Sequence, residues 1–406
     1  MLALTAAACG SGSGSGEDVA CNEGRSDGDG KTISFVAAEY SDKTKPYWEN
    51  LISEFEKENS GLQVDLQVIN WDNIDGHVQN LVLNNKAPDI LNLNKFADFA
   101  DDGLLCKADE VLSAEVIDDF VPSFAENSKL EGTQYGLPFI ASARLLFYNK
   151  DMFAEAGIAG PPESWDELKA AAAKIKANGH IGYGLPLGPE EAQGELQIWM
   201  NGNGGHWVDE SGKWTINSQE NVEAVQFLKT MVAQGLTQPN PAKTDRADVI
   251  EAFAAGEIGM IRGLPQTQNN IKEQGDKFEY GIAPNPPNGD NEPTTLGVQD
   301  YLMAFKREGS QDTVKKFLDF FYQKDNYAKF LTTEGFLPTT QSAGEQLADD
   351  PKLKPFIEVL PDAKFYPVTD PMWTAVDAAV KQQVGKAVQG SDPQQVLDRL
   401  QQETED

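Results

Sequence analysis

The stretch KTISFVAAEYSDKTKPYWENLISEFEKENSGLQVDLQVI, residues 31–69, carries the signal that decides the fold. Its opening residues alternate, with Ile33, Phe35 and Ala37 on one side, the period of a half-buried strand. The period then changes. Trp48, Leu51, Ile52 and Phe55 fall at i, i+3, i+4 and i+7, with Pro46 near the start and Gly61 just past the end, which predicts an amphipathic helix. Leu62, Val64, Leu66 and Val68 alternate again. A second helical pattern (Ile74, Val78, Leu81, Val82) and the short apolar run DILNLN extend the series to strand, helix, strand, helix, strand. That succession is the βαβ grammar of an α/β domain built on a mainly parallel sheet.

The chain has 406 residues, 40% of them hydrophobic, more than one core usually supports, so two lobes are expected. Helical patterns recur farther along. Ser164 and Glu167 make a capping box ahead of one, and Asp392 with Pro393 starts the last. The Pro/Gly/Asn-rich stretch from Gly281 to Pro293 reads as an exposed loop. Acidic residues number 64 against 33 basic ones, a formal charge of −31. Their scatter along the chain excludes the basic footprint that nucleic acid requires. His77, His180 and His206 stand without a second ligand at metal spacing, so no metal and no cofactor are expected.

The segment LTAAACGSGSGSGED, residues 4–18, resembles the end of a bacterial export signal followed by a lipobox cysteine and a Gly/Ser tether. By that resemblance Cys9 carries lipid, residues 1–30 are signal remnant and tether, and the chain is held at the extracytoplasmic face of the cell membrane by the lipid alone. No basic segment precedes Leu2, which leads us to expect a start codon upstream. With Cys9 lipidated, Cys21 and Cys106 remain, an even count in an oxidising compartment. They are either a disulfide or two unrelated thiols.

Four further stretches resemble the family 1 extracellular solute-binding proteins, the maltose-binding-like receptors of ABC importers. These are LLFYNKDMFAEAGIAGPPESWDELKAAAAKI (145–175), AFAAGEIGMIRG (252–263), EGFLPTTQSA (334–343), and the closing region from MWTAV (372–376) to AVQGSDPQQVLDRLQ (387–401). The resemblance implies the type II periplasmic-binding-protein-like fold, two α/β lobes joined by a hinge that closes on a ligand. Crossovers would lie near Ile140 to Arg144, near Gly297 to Asp300 and beyond Phe320. Lobe one would then hold 31–141 plus 298–321, and lobe two 142–297 plus 322–406. The implied protein is a monomer without enzymatic activity that delivers a carbohydrate to ABC permease subunits.

Ligands of open α/β sheets sit beyond the carboxyl ends of strands, which nominates Glu39 and Tyr40 after the first strand and Asn92 and Asn94 after PDIL. In ELQIWMNGNGG, Gln197 and Trp199 are candidates, Trp199 being either a stacking platform or a core residue. Trp373 matches a position where the family sets an aromatic face against sugar; its alternative is helix packing. Arginine is scarce, yet Arg144 lies in the first hinge and Arg262 in a glycine-flanked run. Either could hold hydroxyls or an anion, or could pair with one of the many acids. Gln266, Gln299 and Asp300 complete the set. A sugar acid, polyol or glycerol-phosphate-like ligand remains open beside a neutral sugar. A secreted glycoside hydrolase, with two carboxylates ~5 to 9.5 Å apart, is the rival from another class, although no acid/base motif stands out.

Overall fold

The computed structural model describes residues 20–23, 29–209 and 211–404, so Cys9 and its tether lie outside the described residues. Among the described residues, eleven strands form two main sheets and one small hairpin. The strands are β1 (Thr32–Glu39), β2 (Gln63–Asn70), β3 (Ile90–Leu93), β4 (Lys129–Leu130), β5 (Thr133–Gln134), β6 (Leu137–Ala143), β7 (Leu145–Asn149), β8 (Ile181–Tyr183), β9 (Ile258–Gly263), β10 (Tyr280–Ala283) and β11 (Gly297–Ala304). The first sheet runs β2-β1-β3-β11-β6, the second β10-β7-β9-β8, and β4-β5 is the hairpin.

The βαβ reading holds where it was made. β1 pairs in parallel with β2 and β3, and the helix Thr44–Glu58 between them buries Trp48, Leu51, Ile52 and Phe55. On β1 the alternation ends at Phe35, from which four successive residues, Phe35 to Ala38, are buried, because a central strand covered on both faces has no solvent side. Edge strand β2 keeps its alternation. The strands that change sheet add antiparallel pairs. β11 runs antiparallel to β3 and β6, β7 antiparallel to β9 and β10, and only β8 is parallel to β9 in the second sheet. Both sheets are therefore mixed.

The chain passes from the first sheet to the second at Arg144, between β6 and β7, and returns through residues 284–296 ahead of β11. These two passages are tied to each other: Thr295 Oγ1 accepts from Arg144 N and donates to Arg144 O, at 3.0 and 2.6 Å, and Asn285 Nδ2 donates to Arg144 O at 2.9 Å. The third passage lies later than the expectation that placed 322–406 wholly with lobe two. The helix Lys324–Glu334 stays on the first sheet. Tyr327 donates to Phe139 O at 2.7 Å, and the Phe330 ring lies 4.9 Å from Phe139 and 5.4 Å from Trp48. Its aromatic face finds the same core as the first helix, which keeps it there. By Phe356, whose ring sits 6.2 Å from Phe147 of β7, the chain has reached the second sheet, where the helix Trp373–Val388 packs on Ala192–Gly202.

Cys21 and Cys106 are disulfide-bonded. The link fastens the segment before β1 to the far end of the first sheet, where Cys106 N donates to Ala304 O and Cys21 N to Glu110 Oε1.

Candidate ligand-binding cleft

Two adjoining cavities, of about 720 and 410 Å³, open between the sheets. Tyr40, Trp71, Asp72, Glu190, Arg246 and Gln266 line both, so they form an outer and an inner part of one cleft. Strand ends supply the walls, as open α/β sheets do generally. Glu39 closes β1 and Tyr40 follows it, Asn70 closes β2 and Trp71 follows it, Asn94 follows β3, and Gln266 comes just after β9.

Tyr40 is the centre of the first wall. Its backbone N–H donates to Thr44 Oγ1 at 2.9 Å, which holds the strand end at the start of the helix. Its hydroxyl lies 2.5 Å from Asp300 Oδ2 and 3.1 Å from Asn92 Oδ1. Its ring meets Phe336 at 4.7 Å and Trp71 at 5.7 Å, both edge to face.

The opposite wall is an ion-pair network. Arg144 Nη2 reaches both oxygens of Glu191 at 2.7 and 2.9 Å, while Arg246 pairs with Glu190 and, at 2.6 Å, with Glu191. Burial raises the Glu191 carboxyl, but Arg144 and Arg246 outweigh it and hold the group below the usual carboxylate range. The loop carrying these glutamates runs close against Asp245. A Cβ on Gly188 would sit 2.1 Å from Asp245 Oδ1, so only glycine fits there. Glu190 N in turn donates to Asp245 Oδ1 at 3.2 Å.

Asp300 titrates differently. Burial pushes its carboxyl up to about 7, with Glu191 adding to the rise and Tyr40, Arg144 and Arg246 opposing it. A carboxyl raised in the native state from an ordinary 3.8 keeps a proton that the unfolded chain releases. Its contribution to stability is thus complete below about pH 4 and lost as pH rises to about 7. We expect Asp300→Asn, which keeps the shape and the Tyr40 contact but not the charge, to gain stability relative to the parent between pH 4 and pH 8, by about 4 kcal/mol. Melting curves across that range check this, and a pH-independent offset would refute it.

Of the residues nominated from sequence, the structure brings Glu39, Tyr40, Asn94, Arg144, Gln266 and Asp300 to the cleft. The other six line neither cavity, and each is explained by what it touches instead. Asn92 bridges strands, accepting from Ala38 N and donating to Tyr301 O, both at 3.2 Å. Gln299 spans Phe124 O and Asn127 Nδ2, and Gln197 spans Lys364 O and Trp207 Nε1. Trp199 is wholly buried. The Arg262 guanidinium lies 3.8 Å over its ring and 3.3 Å from Glu195, inside the second lobe. Trp373 is 3% exposed, stacked on Tyr366 at 5.0 Å with Trp207 and Trp214 beside it.

Trp71, Asp72, Glu190, Glu191, Asp245 and Arg246 line the cleft without having been nominated. Trp71 was within reach of the strand-end rule, since Asn70 is the last residue of β2. Asp72 follows Trp71 in the first turn of the next helix. Glu190, Glu191, Asp245 and Arg246 depend on how loops of the second lobe fold back, for which the sequence carries no local signal.

With this geometry in place, comparison with known proteins adds the lineage. Residues 50–355 match the family model described as bacterial extracellular solute-binding protein. A binding protein of Brucella abortus (strain 2308) is 35% identical over 360 residues, 86% of this chain and 87% of that one. The sn-glycerol-3-phosphate-binding periplasmic protein UgpB of Escherichia coli (strain K12) is 30% identical over 241 residues, covering 55% of this chain and 53% of UgpB. Among solved structures, an ABC transporter solute-binding protein from Thermotoga lettingae bound with alpha-D-tagatose superposes with a TM-score of 0.80 at 23% identity, over 92% of this chain and 98% of that one. A cleft walled by the strand ends of two sheets, in a chain that matches this family over three quarters of its length, makes the protein a member of the bacterial extracellular solute-binding proteins.

Proposed function

We propose that the protein is the solute receptor of an ABC importer, that it captures a carbohydrate in the cleft between its sheets, and that it releases it to the permease. The observation that carries this reading is the wall made by Trp71 and Tyr40, half-buried rings that face cavity space in both the outer and the inner part. Sugar rings present C–H faces to aromatic surfaces, and Asn94, Gln266 and Gln193 add neutral donors and acceptors suited to hydroxyls. Combined, the two cavities are roomy enough for more than one sugar unit. The receptor works without chemistry of its own. It acts as a monomer, held outside the cell membrane by lipid on Cys9; mass spectrometry of the mature N-terminus from the native host would find an unmodified Cys9 if the anchor is wrong.

A glycerol-phosphate-like solute is the second reading, favoured by the similarity to UgpB. Against it, both arginines of the cleft already meet glutamates. A thermal-shift screen over neutral sugars, sugar acids and phosphate esters separates the two, since a ligand that binds only the folded state raises the melting point. Trp71→Ala should weaken sugar binding by at least ~2 kcal/mol, roughly thirtyfold in Kd, while moving the unliganded melting point little. Full affinity in that variant would remove Trp71 from the site.

A further inference from the structure

The cleft's charges are paired one-sidedly. Nine acidic side chains line the outer cavity and six the inner, three of them shared, so twelve acids stand against four bases, Lys43, Arg144, Arg246 and Lys381. Each of these bases has a carboxylate beside it: Lys43 pairs with Glu273 at 3.1 Å, Arg144 with Glu191 at 2.7 Å, Arg246 with Glu190 and Glu191, and Lys381 with Asp377 at 3.0 Å. An anionic solute would find every one of them already neutralised.

The acids are not matched in return. Asp300 lines the inner cavity, is 3% exposed, and has one oxygen on Tyr40 while the other, Oδ1, has no hydrogen-bond partner among the described residues. Gln193, 1% exposed on the same cavity, likewise leaves its Oε1 unpartnered. Both atoms are acceptors. The general acidity of the chain does not account for this, because a surface carboxylate is solvated at little cost, whereas a buried one without a partner is expensive.

We propose that the carbohydrate this cleft takes carries a protonated amine, as a hexosamine or an oligosaccharide containing one, and that Asp300 selects it. The inference rests on the carbohydrate reading above. An ammonium offers three donors and no acceptor, the complement of Asp300 Oδ1 and Gln193 Oε1. Its hydrogen bond to a carboxylate is charge-assisted and stronger than that of a hydroxyl. The Tyr40 and Trp71 rings add faces on which a cation is attracted. A hydroxyl in the same place brings no charge to draw the Asp300 carboxyl, raised by burial to about 7, into its ionised form.

The test uses matched sets at about pH 7: glucose, glucosamine and N-acetylglucosamine, the galactose and mannose equivalents, and the β-1,4-linked disaccharides of the first set, with spermidine alongside. Calorimetry or thermal shift reads the affinities. Within the stereochemical set that binds, the amine form should bind at least about tenfold tighter than its hydroxyl and acetamido counterparts, and Asp300→Asn should bring that ratio close to one. Equal or tighter binding of the neutral forms overturns the inference and leaves the carbohydrate receptor standing. So does an undiminished preference in Asp300→Asn, as far as the role of Asp300 is concerned. Binding of spermidine without any sugar, or of none of these solutes, overturns the carbohydrate reading and this inference with it.

Discussion

Replacing Trp373 by alanine should remove ~3 to 5 kcal/mol of folding stability and leave the affinity of the cleft nearly intact. The indole opens the helix Trp373–Val388 and fills the space among three other rings: Tyr366 stacked at 5.0 Å, Trp207 at 5.4 Å and Trp214 nearly parallel at 6.4 Å. Truncation would leave a void that these neighbours cannot close, since Trp207 is held to Gln197 at 2.7 Å and Trp214 to Asp370 at 3.1 Å. Denaturant unfolding of the unliganded variant measures the first effect and calorimetry with whichever sugar binds measures the second. A variant of unchanged stability that binds thirtyfold more weakly would return Trp373 to the site, where the family resemblance had put it. Paired with Trp71→Ala, the experiment has opposite expectations for two tryptophans, one that faces the cleft and one that holds the second lobe together.

Loss of the disulfide should have an effect of similar size. Cys21 and Cys106 are 85 residues apart, and in the chain-entropy model removing a link across a loop of that length relaxes the unfolded chain by roughly 4 to 5 kcal/mol. The folded side supports the link with contacts that survive reduction: Arg307 N donates to Cys21 O, and Cys21 N to Glu110. Most of the cost should therefore appear as a stabilised unfolded state. Comparing oxidised protein with the Cys21→Ser/Cys106→Ser double variant in chemical denaturation tests this. A difference below about 1 kcal/mol would mean that the unfolded chain is already restricted in that region.

What could be read from sequence follows a pattern set by range. Trp48, Leu51, Ile52 and Phe55 declare a helix face because the helical period brings them together whatever the rest of the chain does. The caps are equally local. Ser164 Oγ accepts from Glu167 N at 3.2 Å, and Asp392 accepts from Gln395 N at 3.1 Å. The strand-end rule reached Glu39, Tyr40 and Asn94 for the same reason, since a residue just past a strand has its position fixed by its neighbours in the chain.

Periodicity reports that a side chain is turned inward; it does not report what is waiting there. Trp373 and Trp71 are both tryptophans at the first position of a helix, and no local feature separates them. Only the tertiary fold puts Trp373 among the rings of residues 207, 214 and 366 and leaves Trp71 facing open space. Arginine shows the same limit. Arg262 sits in a strand whose residues are all buried and meets Trp199 and Glu195, whereas Arg144, at the passage between the sheets, meets Glu191 on the cleft wall. The sequence alone determined the α/β class, the two-lobed organisation and the family, because these follow from periods, caps and motifs that act over a few residues. The identity of the cleft's walls was decided by the folded structure, because neighbours on a wall come from distant segments, Tyr40 and Asp300 being 260 residues apart, and which buried group meets a partner and which is left facing the cavity depends on packing between them.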